Sequence, residues 1–149
     1  MLTVLAVPAA GQIEARGNDP ARPWAAAADE LLAALDRAGI GRALAEDAAR
    51  RGAKLILVGR RIGALEDTRN RLPKGACLAV IPCDITDAAD RTRLVDCLTN
   101  EALPLDILVN NAGSTRRGPA ETISSADWNF VLNLNVTAAY TLCRAFARE

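Results

Sequence analysis

Glycine, arginine, aspartate and asparagine are the residues of this chain placed to do chemistry. Gly39-Ile40-Gly41 stands directly before an Ala/Leu-rich stretch. Glycines at the opening of a helix let a phosphate approach backbone N–H groups, where the helix dipole favours an anion. The same pair also reads as a plain glycine turn. Three further clusters each follow a short apolar run: Gly59-Arg60-Arg61, Cys83-Asp84-Ile85 and Asn110-Asn111-Ala112-Gly113. The 149 residues contain no His, which excludes imidazole catalysis and His-ligated zinc. Cys77, Cys83, Cys97 and Cys143 show no Cys-x-x-Cys spacing. They read as small buried hydrophobes of a reducing compartment, with no metal site.

These clusters need elements to position them. Gly41–Arg51 reads as helix, with Ala43, Leu44 and Ala48 on one stripe and Gly52 as its stop. Lys54–Gly59 is a continuous apolar run, as in a strand buried on both faces. Ile62–Leu72 reads as helix ended by Pro73, and Cys77–Cys83 as strand. Asp87–Glu101 is predicted helical, Leu105–Val109 is a third apolar strand, and Ser124–Glu149 is a helix capped by Ser124, Ser125 or Asp127. Trp128 and Phe130 read as packing residues. Alternating strands and helices at this spacing predict βαβ units and a parallel sheet. Ligands then bind beyond the carboxyl ends of the strands, where the three clusters fall. Residues 1–38 differ: Pro8, Gly11, Gly17, Pro20 and Pro23 make a loop-like segment, Leu2–Val7 is a candidate short strand, and Trp24–Arg37 reads as an Ala-rich helix.

Composition narrows the function. Eighteen Lys+Arg balance 18 Asp+Glu, so charge gives no case for nucleic acid. Half the residues are hydrophobic, which excludes a disordered chain. No apolar run approaches the roughly 20 residues of a membrane span. No membrane partner is expected, and the default location is cytoplasmic.

The ordered run GIGRALAEDAARRGAKLILVGRR, CDITD, LDILVNNAG and DWNFVLNLNV closely resembles the short-chain dehydrogenase/reductase family. The resemblance covers Gly39 to Glu149. It implies a Rossmann-like three-layer α/β fold with a parallel sheet, present in part, and an oxidoreductase using NAD or NADP. By resemblance, Gly39, Ile40 and Gly41 belong to the cofactor's glycine loop. Arg60, with Arg61 assisting, is similar to the basic residue that holds the 2′-phosphate of NADP. A guanidinium suits that role because it pairs with phosphate, where an acid would take a ribose diol. Asp84 resembles the residue that binds the adenine amino group, with Ile85 packing the ring. Asn111, Ala112 and Gly113 match the family's Asn-Asn-Ala-Gly, and Asn135 matches the helix asparagine that holds a water of the catalytic proton relay. The bland alternatives are solvated surface arginines at Arg60 and Arg61, a helix cap at Asp84, and an interhelical polar contact at Asn135.

Two departures qualify that implication. The family's first glycine-loop residues fall at Ala34 and Leu35, and Leu35 puts a side chain where pyrophosphate needs bare backbone. The preceding central strand falls at Ala28–Ala33, which Asp29 and Glu30 break. Trp24–Arg37 is therefore expected to be helical. Glu30–Ala34 forced into the central slot, or Leu2–Val7 filling it through a long connection, are the alternatives. Further, no Tyr-x-x-x-Lys is present: Tyr140, the single tyrosine, is followed by Arg144. The expected assignment is a partial domain over 39–149, with 1–38 atypical, and a truncated or frameshifted product that is inactive alone. NADP is expected over NAD, impaired by Leu35. The full-length protein would take a small-molecule substrate, and Ser124–Glu149 would form a homo-oligomer interface. The alternative is a non-catalytic remnant or a nucleotide-binding or oligomerisation module.

Overall fold

The computed structural model describes residues 2–7, 39–101, 105–116 and 119–147. Strand β1 (Leu2–Val7) precedes helix α1 (Ile40–Arg50), β2 (Lys54–Gly59), α2 (Ile62–Arg69), β3 (Cys77–Pro82), α3 (Ala88–Asn100) and β4 (Ile107–Val109). A 3-10 turn (Ala120–Thr122) then leads to α4 (Ser125–Leu132), which runs through a π-helical turn at Asn133–Thr137 into α5 (Ala138–Phe146). Within the described residues, the expected helices and strands are all present. The second helix ends at Arg69, earlier than the expected Leu72, and β4 keeps only three of the five residues in its apolar run.

The starts and stops have local causes. Gly52 takes φ +91 just past α1, and Asp87 and Ser124 cap α3 and α4 by accepting N–H bonds from Asp90 and Asp127. In α3, Asp90 also pairs with Arg93 one turn on.

The strand order is β3-β2-β1-β4. Strands β2 and β3 pair in parallel, with a register shift between Leu55 and Ile56. Strand β1 pairs antiparallel with β2, from Leu2 opposite Gly59 to Val7 opposite Lys54. It is antiparallel to β4 as well, with Val4 opposite Val109. The three apolar runs therefore all point the same way, as the βαβ reading requires, and the strand between them is reversed. Leu2–Val7, the remote candidate for that slot, fills it. The physical reason is hydrogen bonding: an empty slot would leave the inner edges of β2 and β4 unpaired. The uncharged LTVLAV stretch suits a strand better than a segment carrying Asp29 and Glu30. The expected helix Trp24–Arg37, with Ala34 and Leu35, lies outside the described residues.

Helices cover both faces of β2. Ile56 and Val58 point into one core with Cys83, Ile85, Leu94, Leu98, Leu134, Ala138 and Leu142, under α3 and α5. Leu55 and Leu57 point into the other, with Ala45, Ala49, Leu65, Leu72 and Ala76, under α1 and α2. Alternating side chains of one strand thus feed two cores, and the layers are helix, sheet, helix. Two side-chain expectations fail. Trp128 is 58% exposed, while Phe130 packs against the first core. Cys143 is exposed and accepts a 3.3 Å hydrogen bond from Asn110 Nδ2; of the four cysteines, only Cys83 is buried. The reason is helical phase: α4 and α5 have one apolar side more than their single core can cover.

Candidate functional site

A cleft of about 400 Å³ opens at the carboxyl ends of the parallel strands. It is lined by Gly39, Ile40 and Gly41 at the start of α1, Arg61 at the start of α2, and Asn111 and Gly113 after β4. Six of the residues singled out in the sequence therefore meet in one place. Gly39 has φ +80, a conformation that suits glycine, and a Cβ there would meet nothing within 4 Å. The backbone at the mouth of α1 is bare and open, so an anion can reach its N–H groups.

Arg60, Asp84, Ile85 and Ala112 lie in a second, smaller depression beside the cleft, floored by Leu134. Arg60 Nη1 stands 3.8 Å from Asp84 Oδ2, and both side chains are well exposed. Such a pair is weak and is released at little cost. Asp84 is held on all sides. Its Oδ1 accepts from the Thr86 amide (2.9 Å) and hydroxyl (2.7 Å), and its own amide donates to Asp90 Oδ2 (2.9 Å). Burial pushes the Asp84 carboxyl up, but the two Thr86 bonds and the Arg60 charge outweigh it and leave it below the usual carboxylate value. Arg91 Nη1 donates to the Ile85 carbonyl (2.6 Å), and Asn133 Nδ2 donates to that of Thr86 (2.9 Å), so the loop after β3 is fixed by both flanking helices. Asp87 caps α3, so Asp84 is not the cap. Ile85 is mostly buried and belongs to the first core. The Cys83 thiol in the same depression is pushed up to about 11, first by burial and then by Asp90 and Asp84, and stays protonated.

Asn135 sits in the π-helical turn, and its side chain spans the gap to the loop after β4. Its Nδ2 donates to the Ser114 carbonyl (2.7 Å), and its Oδ1 accepts from the Ser114 amide (2.9 Å). A single side-chain amide thus pairs with both backbone groups of one residue, as a neighbouring strand would. Gly113 is packed against this clamp: a Cβ there would lie 3.2 Å from Asn135 Oδ1. The widened turn is where the helix surrenders a regular backbone register around Asn135, as π-bulges at functional sites do.

Two polar cleft residues escaped the sequence reading. Arg42 and Thr68 line the cleft and are joined by a 3.1 Å hydrogen bond from Arg42 Nε to Thr68 Oγ1. Their separation of 26 residues leaves no sequence signal beyond the position of Arg42 directly after Gly41.

A three-layer α/β domain with its glycine turn, arginine loop and asparagine loop converging at the strand ends is a Rossmann-type domain. The chain belongs to the short-chain dehydrogenase family, whose sequence profile matches residues 36–149. It is 35% identical over 112 residues to gluconate 5-dehydrogenase of Gluconobacter oxydans (strain 621H), covering 74% of this chain and 44% of that protein. It is 34% identical over 113 residues to D-threitol dehydrogenase of Mycolicibacterium smegmatis, covering 74% and 43%. Among solved structures, a short-chain dehydrogenase/reductase from Burkholderia xenovorans superposes with a TM-score of 0.66 at 33% identity, over 72% of this chain and 43% of that one. A metagenomic short-chain oxidoreductase in complex with NADP gives 0.68 at 28% identity, over 76% and 52%. The chain thus spans less than half the length of the curated relatives it matches. Among the described residues no group of three His, Cys, Asp or Glu could hold a metal, and no helix is long and apolar enough to cross a membrane.

Proposed function

We propose that this chain supplies the dinucleotide-binding half of an NADP-preferring oxidoreductase that interconverts a carbonyl and an alcohol, working in the cytoplasm. The observation that carries the reading is the convergence of Gly39–Gly41, Arg61, Asn111 and Gly113 on one cleft, with Arg60 and Ala112 beside it. The residues fit such a group: the backbone at Gly39 is open to phosphate, and two arginines and no carboxylate line the cleft among the described residues. The bound nicotinamide cofactor would supply the hydride. In this reading Gly39–Gly41 take the pyrophosphate on backbone N–H groups, Arg60 and Arg61 take the 2′-phosphate, and Asp84 takes the adenine amino group. Asn135 fixes the Asn111–Ser114 wall against which the cofactor lies. These 149 residues contain no Tyr-x-x-x-Lys to supply the proton, so the purified chain is expected to bind without turnover.

Calorimetric titration of the purified chain tests the reading. NADPH should bind more tightly than NADH, and Arg60→Asp should weaken NADPH about 10- to 100-fold, the value of a charge-assisted pair of roughly 1.5–3 kcal/mol. Equal affinity of the unchanged chain for both cofactors contradicts the preference.

A second feature favours self-association. Trp128, Leu132, Val136 and Tyr140 recur at every fourth residue along α4 and α5, and each is at least 40% exposed. An apolar stripe of this kind on a helix can pair with its own copy about a two-fold axis. Trp128→Glu with Tyr140→Glu should convert a dimer to a monomer in light scattering. A monomeric unchanged chain would remove this part of the proposal.

A further inference from the structure

Helix α3 buries three side chains on one face, Arg91, Leu94 and Leu98. Leu94 and Leu98 belong to the first core, so helical spacing calls for an apolar side chain at 91 as well. An arginine stands there instead, only 9% exposed. It makes no ion pair with a carboxylate among the described residues, and its Nε is buried without a hydrogen-bond partner. A buried charge left unpaired is destabilising, and an apolar side chain of similar volume would serve the core at least as well. What the arginine supplies is one bond: Nη1 donates to the Ile85 carbonyl at 2.6 Å. That bond completes a set. The Asp84 amide donates to Asp90 Oδ2 at 2.9 Å, and the Thr86 carbonyl accepts from Asn133 Nδ2 at 2.9 Å. Three consecutive residues of the loop after β3 are thus each gripped at a backbone group by a side chain of a flanking helix, and the middle grip is the buried one.

We propose that Arg91 is a positioning residue that sets the base selectivity of the nucleotide site, acting from inside the core through the Ile85 carbonyl and at the expense of stability. This inference rests on the nucleotide reading of the site. Arg91 lines neither the cleft nor the smaller depression, so it touches no ligand itself. Asp84 and Ile85 do line the depression, and the loop that carries them is the one Arg91 holds. Oδ1 of Asp84 is taken by Thr86, so Oδ2 is the atom left to a ligand. Telling an amino group from an oxo group requires that this atom stay in place. A carboxylate on a rigid loop accepts a hydrogen bond from the first and repels the second, whereas a loose loop swings away from the second and loses the distinction.

Calorimetric titration of the full 149-residue chain tests this, with NADPH and its hypoxanthine analogue, which carries an oxo group in place of the adenine amino group. The unchanged chain should prefer NADPH about 10- to 100-fold, the value of a hydrogen bond to a charged group. Arg91→Met should reduce that preference to within about threefold, because the bond to Asp84 is no longer held in one geometry. Its thermal unfolding midpoint should stay level or rise, because a buried unpaired charge has been removed. Arg91→Lys, which can still donate to the Ile85 carbonyl, should recover part of the preference. A merely structural arginine would alter the affinity for both ligands equally and leave their ratio alone. An unchanged ratio in Arg91→Met overturns the inference and leaves the nucleotide reading standing. Loss of folding in Arg91→Met overturns it as well, since the arginine would then serve the core. Equal affinity of the unchanged chain for the two ligands also overturns it. Failure of the unchanged chain to bind either ligand overturns the nucleotide reading and this inference together.

Discussion

Strands β2 and β4 carry two of the loops that make the cleft, and they are held in place by different means. All but the first residue of β2 are buried; it pairs with a strand on each side and feeds a core on each face. Its loop, Arg60-Arg61, is exposed and contributes charge. Strand β4 is three residues long, none of them buried, and pairs with β1. Its loop is instead pinned by Asn135 through both backbone groups of Ser114. Where the sheet supplies burial, the loop can remain free for electrostatic work. Where burial is thin, a side-chain amide from the neighbouring helix supplies the positional order of the cleft wall.

That contrast can be broken first through burial. Leu57 is fully buried in β2 and Ile107 is 43% exposed in β4. Leu57→Ala should cost about 2–5 kcal/mol in urea unfolding, the range of a large-to-small change in a packed core. Ile107→Ala should cost roughly 1 kcal/mol or less, because less apolar surface leaves water there on folding. Similar losses at the two sites would mean that β4 is as well packed as β2.

A smaller effect probes the clamp. Asn135→Ala removes two hydrogen bonds, each with a net value of roughly 0.5–1.5 kcal/mol, and at this exposed site water replaces part of that. A stability loss of about 1 kcal/mol is expected. The sharper readout is local: the Ser114 amide should exchange with solvent faster, while amides in β2 keep their rates. Unchanged exchange at Ser114 would show that the loop is held by something other than Asn135.

Much of this contrast is legible in the sequence, and the missing parts share a physical cause. The run KLILVG announces a doubly buried strand because neither face can carry a polar residue. The Gly39-Ile40-Gly41 turn and the asparagine loop are legible because local backbone geometry needs those residue types. Three features are not legible. The run LDILV has the same apolar look as KLILVG, but its burial depends on neighbours supplied by distant segments. The reversed seat of Leu2–Val7 is a pairing decision between strands far apart in the chain, and apolarity alone has no direction. The Arg42–Thr68 tie depends on how two helices pack, which no spacing within either helix records. The poor helix propensity of Asn135 marks it as an unusual residue for a helix; that its amide pairs with the Ser114 backbone emerges only in three dimensions.

The central claim is that the cleft at the strand ends is where a dinucleotide binds. Glycine amides offer the most direct test, because they lie at both ends of the sheet. Gly39, Gly41 and Gly113 line the cleft, whereas Gly52 and Gly75 stand in turns that lead into the opposite ends of β2 and β3. In an NMR titration of the labelled chain with NADPH, the amides of Gly39, Gly41 and Gly113 should shift together along one binding curve, while those of Gly52 and Gly75 stay fixed. Shifts confined to Gly52 and Gly75, or no saturable shift at the three cleft glycines, would contradict the account.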